Sequence, residues 1–189
     1  MKKFGLSLGA SGSRGVSYVG FLQALEEAGL KPDYITGASM GSIVGCAYAA
    51  GVPVEKMKEA VVKLRLWNML SPANKGGLFG TKKVRLLLEK YIGDIEFSDL
   101  KIPFRCIAVD MVTQKVVEFS EGNAIDAIIA SSTIPGVFQP MQKGNMRLID
   151  GGVLERVPAM RLKDMGAELI VAVDALGWRE SNEKMSGTL

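Results

Sequence analysis

The stretch YITGASMGSIVGCAYAAG, residues 34–51, decides the fold of this chain. Residues 34–35 predict a short strand, a glycine-rich turn follows around Ser39, and residues 42–50 predict an alanine-rich helix that ends at Gly51. A strand that turns directly into a helix is the repeating unit of α/β folds. This stretch therefore predicts an α/β protein.

The first residues of the chain repeat the same arrangement. An apolar run at residues 4–8 stops at the glycine-rich stretch 9–15, and apolar side chains then recur at helical spacing up to Gly29. Residues 169–173 form a continuous apolar run, which is typical of a strand covered on both faces. We therefore expect three layers, with a mainly parallel central sheet and helices on both faces.

The remaining elements follow from the same patterns. Helices are predicted within 53–92, apart from a loop at 71–80, and at 124–131 and 159–165; strands are predicted at 104–109, 116–119 and 146–149. With 189 residues, 48% of them hydrophobic, the chain is long enough for one substantial core and too short for a second full domain. We expect a single domain over 1–189, in which the polar residues 178–189 form a flexible tail.

Composition limits the partners and the compartment. A net charge of +3, with basic and acidic residues interspersed over most of the chain, does not indicate nucleic-acid binding. Cys46 and Cys106 are isolated in apolar segments, so we expect buried free thiols in a reducing, cytoplasmic compartment rather than a disulfide or a zinc site. No apolar stretch reaches eighteen residues, so any contact with a membrane is expected to be peripheral.

Gly37, Ser39 and Gly41 fit the GxSxG pattern between a predicted strand and a predicted helix. In that context the pattern indicates a nucleophile elbow, a sharp turn that exposes the serine hydroxyl and needs small residues two positions before and after it. The N-terminus of the following helix would also face negative charge that develops at the serine. The alternative is an ordinary strand-to-helix turn.

The glycine-rich stretch GASGSRG, residues 9–15, is a candidate for binding an anion with its backbone N–H groups. Such a loop forms either an oxyanion hole or a cradle for phosphate. A nucleotide site is the weaker interpretation, because the Gly-Lys-Ser/Thr ending of Walker A is missing and Ala10 interrupts the GxGxxG frame. A tight turn with no ligand is the third interpretation.

Asp150, followed by Gly151 and Gly152, lies at the end of a predicted strand. The chain contains no histidine, which excludes a Ser-His-Asp triad, a Cys-His dyad and a histidine-ligated zinc. If Ser39 is a nucleophile, a partly buried carboxylate is the obvious remaining base. Two other aspartates also follow predicted strands, and spacing alone leaves them open as candidates: Asp110 and Asp174.

Together, these motifs resemble the patatin-like phospholipase family. The resemblance covers residues 4–174 and rests on blocks that occur in the family's order: the glycine-rich loop through Gly15, GASMGSIVGCAYAAG at 37–51, ASSTIPGVFQP at 130–140, and DGGVLERVP at 150–158 leading into MGAELIVAVD at 165–174. The resemblance implies a Ser-Asp dyad, with Ser39 as the nucleophile and Asp150 as the base.

The resemblance also implies that backbone amides of the glycine-rich loop, at Ser11, Gly12 and Ser13, hold the oxyanion. The chain departs from the family at two places. Ala10 and Ser11 stand where glycines are usual, and Arg156 stands where asparagine is common after the aspartate motif. Ser11 is therefore expected to need a backbone conformation that glycine reaches more easily.

Residues 56–90 are the candidate membrane-contact segment. They carry nine Lys or Arg against two Glu, while the rest of the chain is net acidic, and their apolar side chains interleave with Lys63 and Arg65. Such a segment is typical of a lid or an interfacial helix near anionic lipid. It is equally typical of a core-packed helix with a solvated basic face.

From the residues and the resemblance together, we expect hydrolysis of lipid acyl esters, of a phospholipid or lysophospholipid, through an acyl-enzyme intermediate and without a metal or cofactor. A thioesterase or an acyltransferase would use the same dyad. A non-catalytic module that binds a lipid or another acyl ligand is the alternative from a different class.

Overall fold

The computed structural model describes residues 2–63, 71–72 and 79–177. The strands are β1 (Phe4–Leu8), β2 (Tyr34–Ala38), β3 (Ser71–Pro72), β4 (Phe79–Gly80), β5 (Phe104–Asp110), β6 (Lys115–Phe119), β7 (Met141–Lys143), β8 (Met146–Asp150) and β9 (Leu169–Val173). The helices are α1 (Ser17–Glu27), α2 (Met40–Ala50), α3 (Val54–Lys63), α4 (Lys82–Ile92), α5 (Ala124–Ser131) and α6 (Arg161–Asp164). Short 3-10 turns occupy Gly12–Val16, Phe97–Asp99 and Gly151–Val153.

A seven-stranded sheet confirms the α/β class, and its two halves differ in direction. The order is β7-β8-β5-β2-β1-β9, with β6 also paired to β5. Strands β9, β1, β2 and β5 are parallel, as the strand-to-helix units predict. The pairs β5–β6, β5–β8 and β7–β8 are antiparallel. Only residues 111–114 and 144–145 connect β5 to β6 and β7 to β8, and such short connections cannot make a parallel crossover.

Two strands share one edge of β5. Strand β2 pairs with residues 104–107 of β5, and β8 pairs with residues 108–110. Strand β6 occupies the other edge, because it covers residues 106–110 and overlaps both of them. Since β2 runs parallel to β5 and β8 runs antiparallel to it, the carboxyl ends of β2 and β8 meet head to head. The sheet itself therefore brings residues 39 and 150 together.

Helices cover both faces of this sheet, as predicted. On one face α2 packs on β1, β2 and β5, and α5 packs on β5 and β8. Here Gly45 of α2 approaches the side chains of Ile35 and Phe104. On the opposite face α6 packs on β1 and β2, where Leu162 lies against Gly5. The core is apolar, and it includes the buried free thiols of Cys46 and Cys106 that the sequence predicts.

The segment 53–92 is helical at both ends, in α3 and α4, as predicted. The predicted loop 71–80 instead begins and ends with paired strands, since β3 and β4 form an antiparallel pair. Phe79 also exchanges two backbone hydrogen bonds with Val137 and Gln139, which ties β4 to the chain after α5.

Two predicted segments lie partly or wholly outside the described residues: much of the candidate membrane-contact segment, at 64–70 and 73–78, and the predicted tail 178–189. Among the helices that the structure describes, none has the length and apolarity needed to cross a bilayer.

Candidate active site

Ser39 occupies the sharp turn between β2 and α2. Its backbone has φ 53° and ψ −126°, a conformation that a residue with a side chain adopts only under strain. The turn is possible because Gly37 and Gly41 carry no side chain. A Cβ on Gly37 would lie 2.6 Å from the carbonyl oxygen of Gly41, and a Cβ on Gly41 would clash with the carbonyl of Leu8. The structure thus has the elbow geometry that the GxSxG pattern predicts.

The side chains of Ser39 and Asp150 are in direct contact. Ser39 Oγ donates a hydrogen bond of 2.5 Å to Asp150 Oδ2, although the two residues are 111 positions apart in the chain. The other carboxylate oxygen, Oδ1, accepts a 2.8 Å hydrogen bond from the N–H of Gly152. One oxygen is therefore oriented by the backbone, and the other faces the serine hydroxyl.

Burial raises the affinity of the Asp150 carboxylate for a proton. The residue is 7% exposed, and this desolvation raises the pKa of its carboxyl group above the ordinary aspartate value. The hydrogen bonds from Ser39 and Gly152 oppose the rise and offset only part of it. A raised pKa brings the proton affinity of the carboxylate closer to the operating range of a general base.

The end of α5 and the segment after it support both members of this pair. Ser131 Oγ accepts a 2.9 Å hydrogen bond from the backbone N–H of Ser39, and the carbonyl of Thr133 accepts one of 2.9 Å from the N–H of Asp150. Both residues lie in the matching block at 130–140, to which the family resemblance assigned no role. The signal for Ser131 is a polar side chain at the end of an apolar helix, where a buried hydroxyl needs a partner. Thr133 acts through its backbone carbonyl, which the residue type does not indicate.

The two competing aspartates have other partners. Asp110 accepts hydrogen bonds from the backbone of Val112, Thr113 and Arg147. Asp174 forms a 2.7 Å ion pair with Arg156. Of the three aspartates, only Asp150 forms a hydrogen bond with Ser39 Oγ.

The Asp-Gly-Gly motif and the glycine-rich loop need small residues because they pack closely against their neighbours. A Cβ on Gly151 would meet the carbonyl of Ile107, and one on Gly152 would meet the side chain of Ala10. Gly15 has the same role on the other side of the loop, where a Cβ would meet the side chain of Met40. These contacts hold the loop, the elbow and the aspartate motif against one another.

Ser11 has φ −148° and ψ 1°, so it does not adopt the left-handed conformation, and the positive φ of this loop falls on Gly12, at +53°. The two departures from the family pattern are accommodated as well. Ala10 donates a 2.8 Å backbone hydrogen bond to the carbonyl of Arg156, which fixes the base of the loop.

Three backbone N–H groups near the elbow are candidates for stabilising an anion. Those of Gly12 and Ser13 have no acceptor within the part of the chain that the structure describes. Met40 is the first residue of α2, where an N–H has no partner inside the helix. Gly12 and Met40 line the same cavity as Ser39, whereas Ser11 and Ser13 line an open pocket beside Arg14 and Arg156. Met40 is a candidate donor that the sequence pattern did not single out.

Ser39 opens into a small cavity of about 60 Å³ with largely apolar walls. Its apolar side chains come from α2, α4 and the segment around α5: Met40, Ile43, Val84, Ile129, Ile134 and Phe138. Ser132 also lines it, and its buried Oγ has no hydrogen-bond partner among the described residues. A serine hydroxyl that lines an apolar cavity suits a ligand that carries hydrocarbon next to a polar group.

Solved structures with the same fold include VipD and ExoU. The structure of VipD from Legionella pneumophila matches 83% of this chain and 47% of its own length, with a TM-score of 0.70 at 14% identity. The type III effector protein ExoU matches 71% of this chain and 40% of its own length, with a TM-score of 0.54 at 14% identity. At such low identity these likenesses show the fold alone.

Sequence relatives are closer. An uncharacterized NTE family protein of Mycobacterium tuberculosis is 33% identical over 91% of this chain, and the chain spans about half of that relative, 49%. Lysophospholipase NTE1 of Saccharomyces cerevisiae is 32% identical over 90% of the chain, which corresponds to 10% of the larger protein. The model of the patatin-like phospholipase family matches residues 6–163. This span contains the glycine-rich loop, the elbow and the aspartate motif. This chain belongs to the patatin-like phospholipase family.

Proposed function

We propose that this chain is a serine acyl hydrolase that cleaves acyl esters of lipids with a Ser39–Asp150 dyad. The observation that carries the proposal is the 2.5 Å hydrogen bond from the strained Ser39 hydroxyl to a buried carboxylate, at the end of an apolar cavity. Membership of the patatin-like phospholipase family supports the same chemistry. The absence of histidine from the sequence is consistent with a carboxylate as the base.

In the first step, Asp150 Oδ2 takes the proton of Ser39 Oγ as that oxygen attacks the ester carbonyl carbon. The tetrahedral intermediate then collapses, the bond from the carbonyl carbon to the alcohol oxygen breaks, and Asp150 returns the proton to the departing alcohol. The raised pKa of Asp150 helps both transfers, because it makes the carboxylate a stronger proton acceptor than an exposed aspartate while still allowing it to release the proton.

Negative charge develops on the carbonyl oxygen during this step, and backbone N–H groups are the available donors. We assign this role to the amides of the glycine-rich loop at Ser11, Gly12 and Ser13, and the cavity favours Gly12 among them. The N–H of Met40, next to the nucleophile and at the positive end of α2, is an additional donor.

In the second step, water hydrolyses the acyl-enzyme. Asp150 accepts a proton from the water as its oxygen attacks the acyl carbon, and it delivers that proton to Ser39 Oγ when the acid leaves. The same intermediate would transfer its acyl group to a different acceptor in an acyltransferase, and a thioester would enter by the same route.

A lipid is the proposed substrate class, and a phospholipid or lysophospholipid is the proposed member of it. The relatives from fungi carry the name lysophospholipase, and the walls of the cavity at Ser39 are apolar. A module that binds an acyl ligand without turnover has less support, because a structural serine has no need of a strained backbone beside a buried carboxylate.

Turnover of a short-chain p-nitrophenyl ester tests this proposal. The native protein should release p-nitrophenol catalytically, and Ser39→Ala should reduce the rate to that of the buffer. Ser42→Ala is the matched control, because Ser42 Oγ bonds the carbonyl of Ser39 rather than Asp150 and should not be required for attack on the ester. No turnover by the native protein, or equal turnover by Ser39→Ala, would reject the proposal.

Peripheral membrane contact through residues 56–90 is a second part of the proposal. Lys82 and Lys83, at the start of α4, are exposed, and so is Lys90 at its end. Binding to vesicles should rise with anionic lipid content and fall with added salt. Lys83→Glu should weaken that binding, whereas Lys163→Glu, at an exposed position on α6 across the sheet, should change it less. Equal losses for both variants would contradict a contact through 56–90.

A further inference from the structure

A second cavity lies beyond the one at Ser39. It has a volume of about 70 Å³, and almost all of its lining side chains are apolar residues of α1–α4. Met40 and Ile43 line both cavities, so these two side chains form the partition between them. For clarity, the cavity that contains Ser39 is called the near cavity, and the one behind the partition is called the far cavity.

The same two helices build the walls of both cavities. On α2, the partition residues Met40 and Ile43 are followed by Val44 and Ala47 in the far cavity. On α4, Val84 lines the near cavity, and Leu87 and Leu88 line the far one. Spacings of three and four residues keep these side chains on one face of each helix. The cavities therefore follow one another along a path that begins at the reactive hydroxyl.

The length of this path limits what it can hold. Met40 and Ala47 are seven positions apart on one helix, which corresponds to about 10 Å along its axis. An extended hydrocarbon chain of about eight carbons has a similar length. The partition is adaptable, because one of its two members is an unbranched methionine.

We infer that the two cavities form one acyl-chain channel, in which the first carbons of a single acyl group fill the near cavity and its distal carbons pass Met40 and Ile43 into the far cavity. The inference rests on the proposed function, and it deepens it by naming the substrate class: lipid esters with a medium-length acyl chain of about eight carbons. Burying each methylene group in an apolar site should raise kcat/KM by up to about fourfold until the far cavity is full.

Two substitutions in the far cavity change the chain-length preference in opposite directions. Ala60→Phe, on α3, fills the far cavity and should lower the ratio of kcat/KM for octanoyl over acetyl p-nitrophenyl ester by about tenfold. Leu87→Ala, on α4, enlarges it and should raise the ratio for decanoyl over octanoyl ester by about threefold. Leu86→Ala is the matched control, because the adjacent Leu86 is 58% exposed and lines neither cavity, so it should keep the native ratios.

The outcomes separate this inference from the function on which it rests. Native ratios in both folded variants, with normal ester turnover, would overturn the channel and leave the hydrolase intact. If the native protein hydrolyses no ester, calorimetric binding of octanoate still tests the channel. Weaker binding to Ala60→Phe than to Leu86→Ala would support it, and equal binding would overturn it. If Ala60→Phe does not melt cooperatively, Leu87→Ala alone decides, by the presence or absence of its shift toward longer chains.

Discussion

Asp110 and Asp150 are buried aspartates at the ends of two paired strands, β5 and β8, and they differ in what surrounds their carboxylates. Asp110 is 2% exposed and accepts four hydrogen bonds, from three backbone N–H groups and the hydroxyl of Thr113. Asp150 is 7% exposed and accepts two, from Ser39 Oγ and the N–H of Gly152. Similar burial thus accompanies very different numbers of donors.

This difference reverses the direction of the pKa shift. Desolvation would raise the pKa of Asp110, but the hydrogen bonds from Arg147, Thr113 and Val112 outweigh it and lower the pKa below the ordinary value. For Asp150 desolvation prevails, and the pKa is raised. A carboxylate with many donors is held as a structural anion, whereas one with few donors keeps an affinity for a proton. The comparison teaches that burial alone does not identify a base.

The largest expected effect separates the two residues by activity. Asp150→Asn keeps the side-chain shape but cannot accept the serine proton, so kcat for a soluble ester should fall by about two to four orders of magnitude. Asp110→Asn disturbs the turn after β5, and it should lower stability while each folded molecule keeps near-native kcat. The measurement is kcat per active site, with thermal unfolding recorded for both variants. Similar kcat losses in the two folded variants would erase the distinction between the aspartates.

A smaller effect appears in the pH profile. The acidic limb of kcat/KM should reflect deprotonation of Asp150 in the free enzyme, and its midpoint should lie above the ordinary aspartate pKa of about 3.9, because burial raises the pKa of this group. A soluble ester measured between pH 3 and 8, with the protein checked for unfolding at each pH, gives the midpoint. A midpoint at or below the ordinary aspartate value would show that the acidic limb reflects the titration of another group.

The smallest effect is on stability, and its sign differs between the two residues. The pKa of Asp110 is lowered in the folded state. Its carboxylate therefore stabilises the folded state at pH values above its pKa in the unfolded chain, and this stabilisation is lost as the pH falls through its pKa in the folded state. The folded-state pKa of Asp150 is raised, so stability instead falls as the pH rises from the unfolded pKa through the folded one. At pH 7, Asp150→Asn should therefore melt a few degrees higher than the native protein, and Asp110→Asn should melt lower. A lower melting temperature for Asp150→Asn would contradict the raised pKa.

Local features of this fold were predictable from sequence, and long-range ones were not. The strand, turn and helix around Ser39 follow from apolar runs and the two glycines of the elbow, because the forces involved act over a few residues. Strands β6 and β8 were predicted, but their antiparallel direction was not. Strand β7 was missed, because it has only three residues and its pairing depends on a partner strand rather than on its own pattern. The paired strands in the predicted loop 71–80 were missed for the same reason.

The candidate site shows the same division. Apart from the two glycines that follow Asp150, the local sequence does not distinguish it from Asp110 or Asp174, since all three stand at the end of an apolar strand. What distinguishes it is the shared edge of β5, where β2 and β8 meet, and this is a property of the whole sheet. The hydrogen bonds that Ser131 Oγ and the carbonyl of Thr133 accept from the backbone of Ser39 and Asp150 also depend on how α5 packs, so the sequence indicated their block without their roles.

Covalent labelling with a fluorophosphonate probe tests the Ser39–Asp150 pair most directly, because the phosphorus reacts with an activated serine and the modified residue can be identified by mass spectrometry. A working dyad predicts labelling at Ser39 in the native protein, none at that position in Ser39→Ala, and a rate at least about a hundredfold slower in Asp150→Asn, with Asp110→Asn close to native. Labelling that persists in Ser39→Ala would contradict the dyad. So would a native rate in Asp150→Asn together with loss of labelling in Asp110→Asn or Asp174→Asn, which would place the base elsewhere.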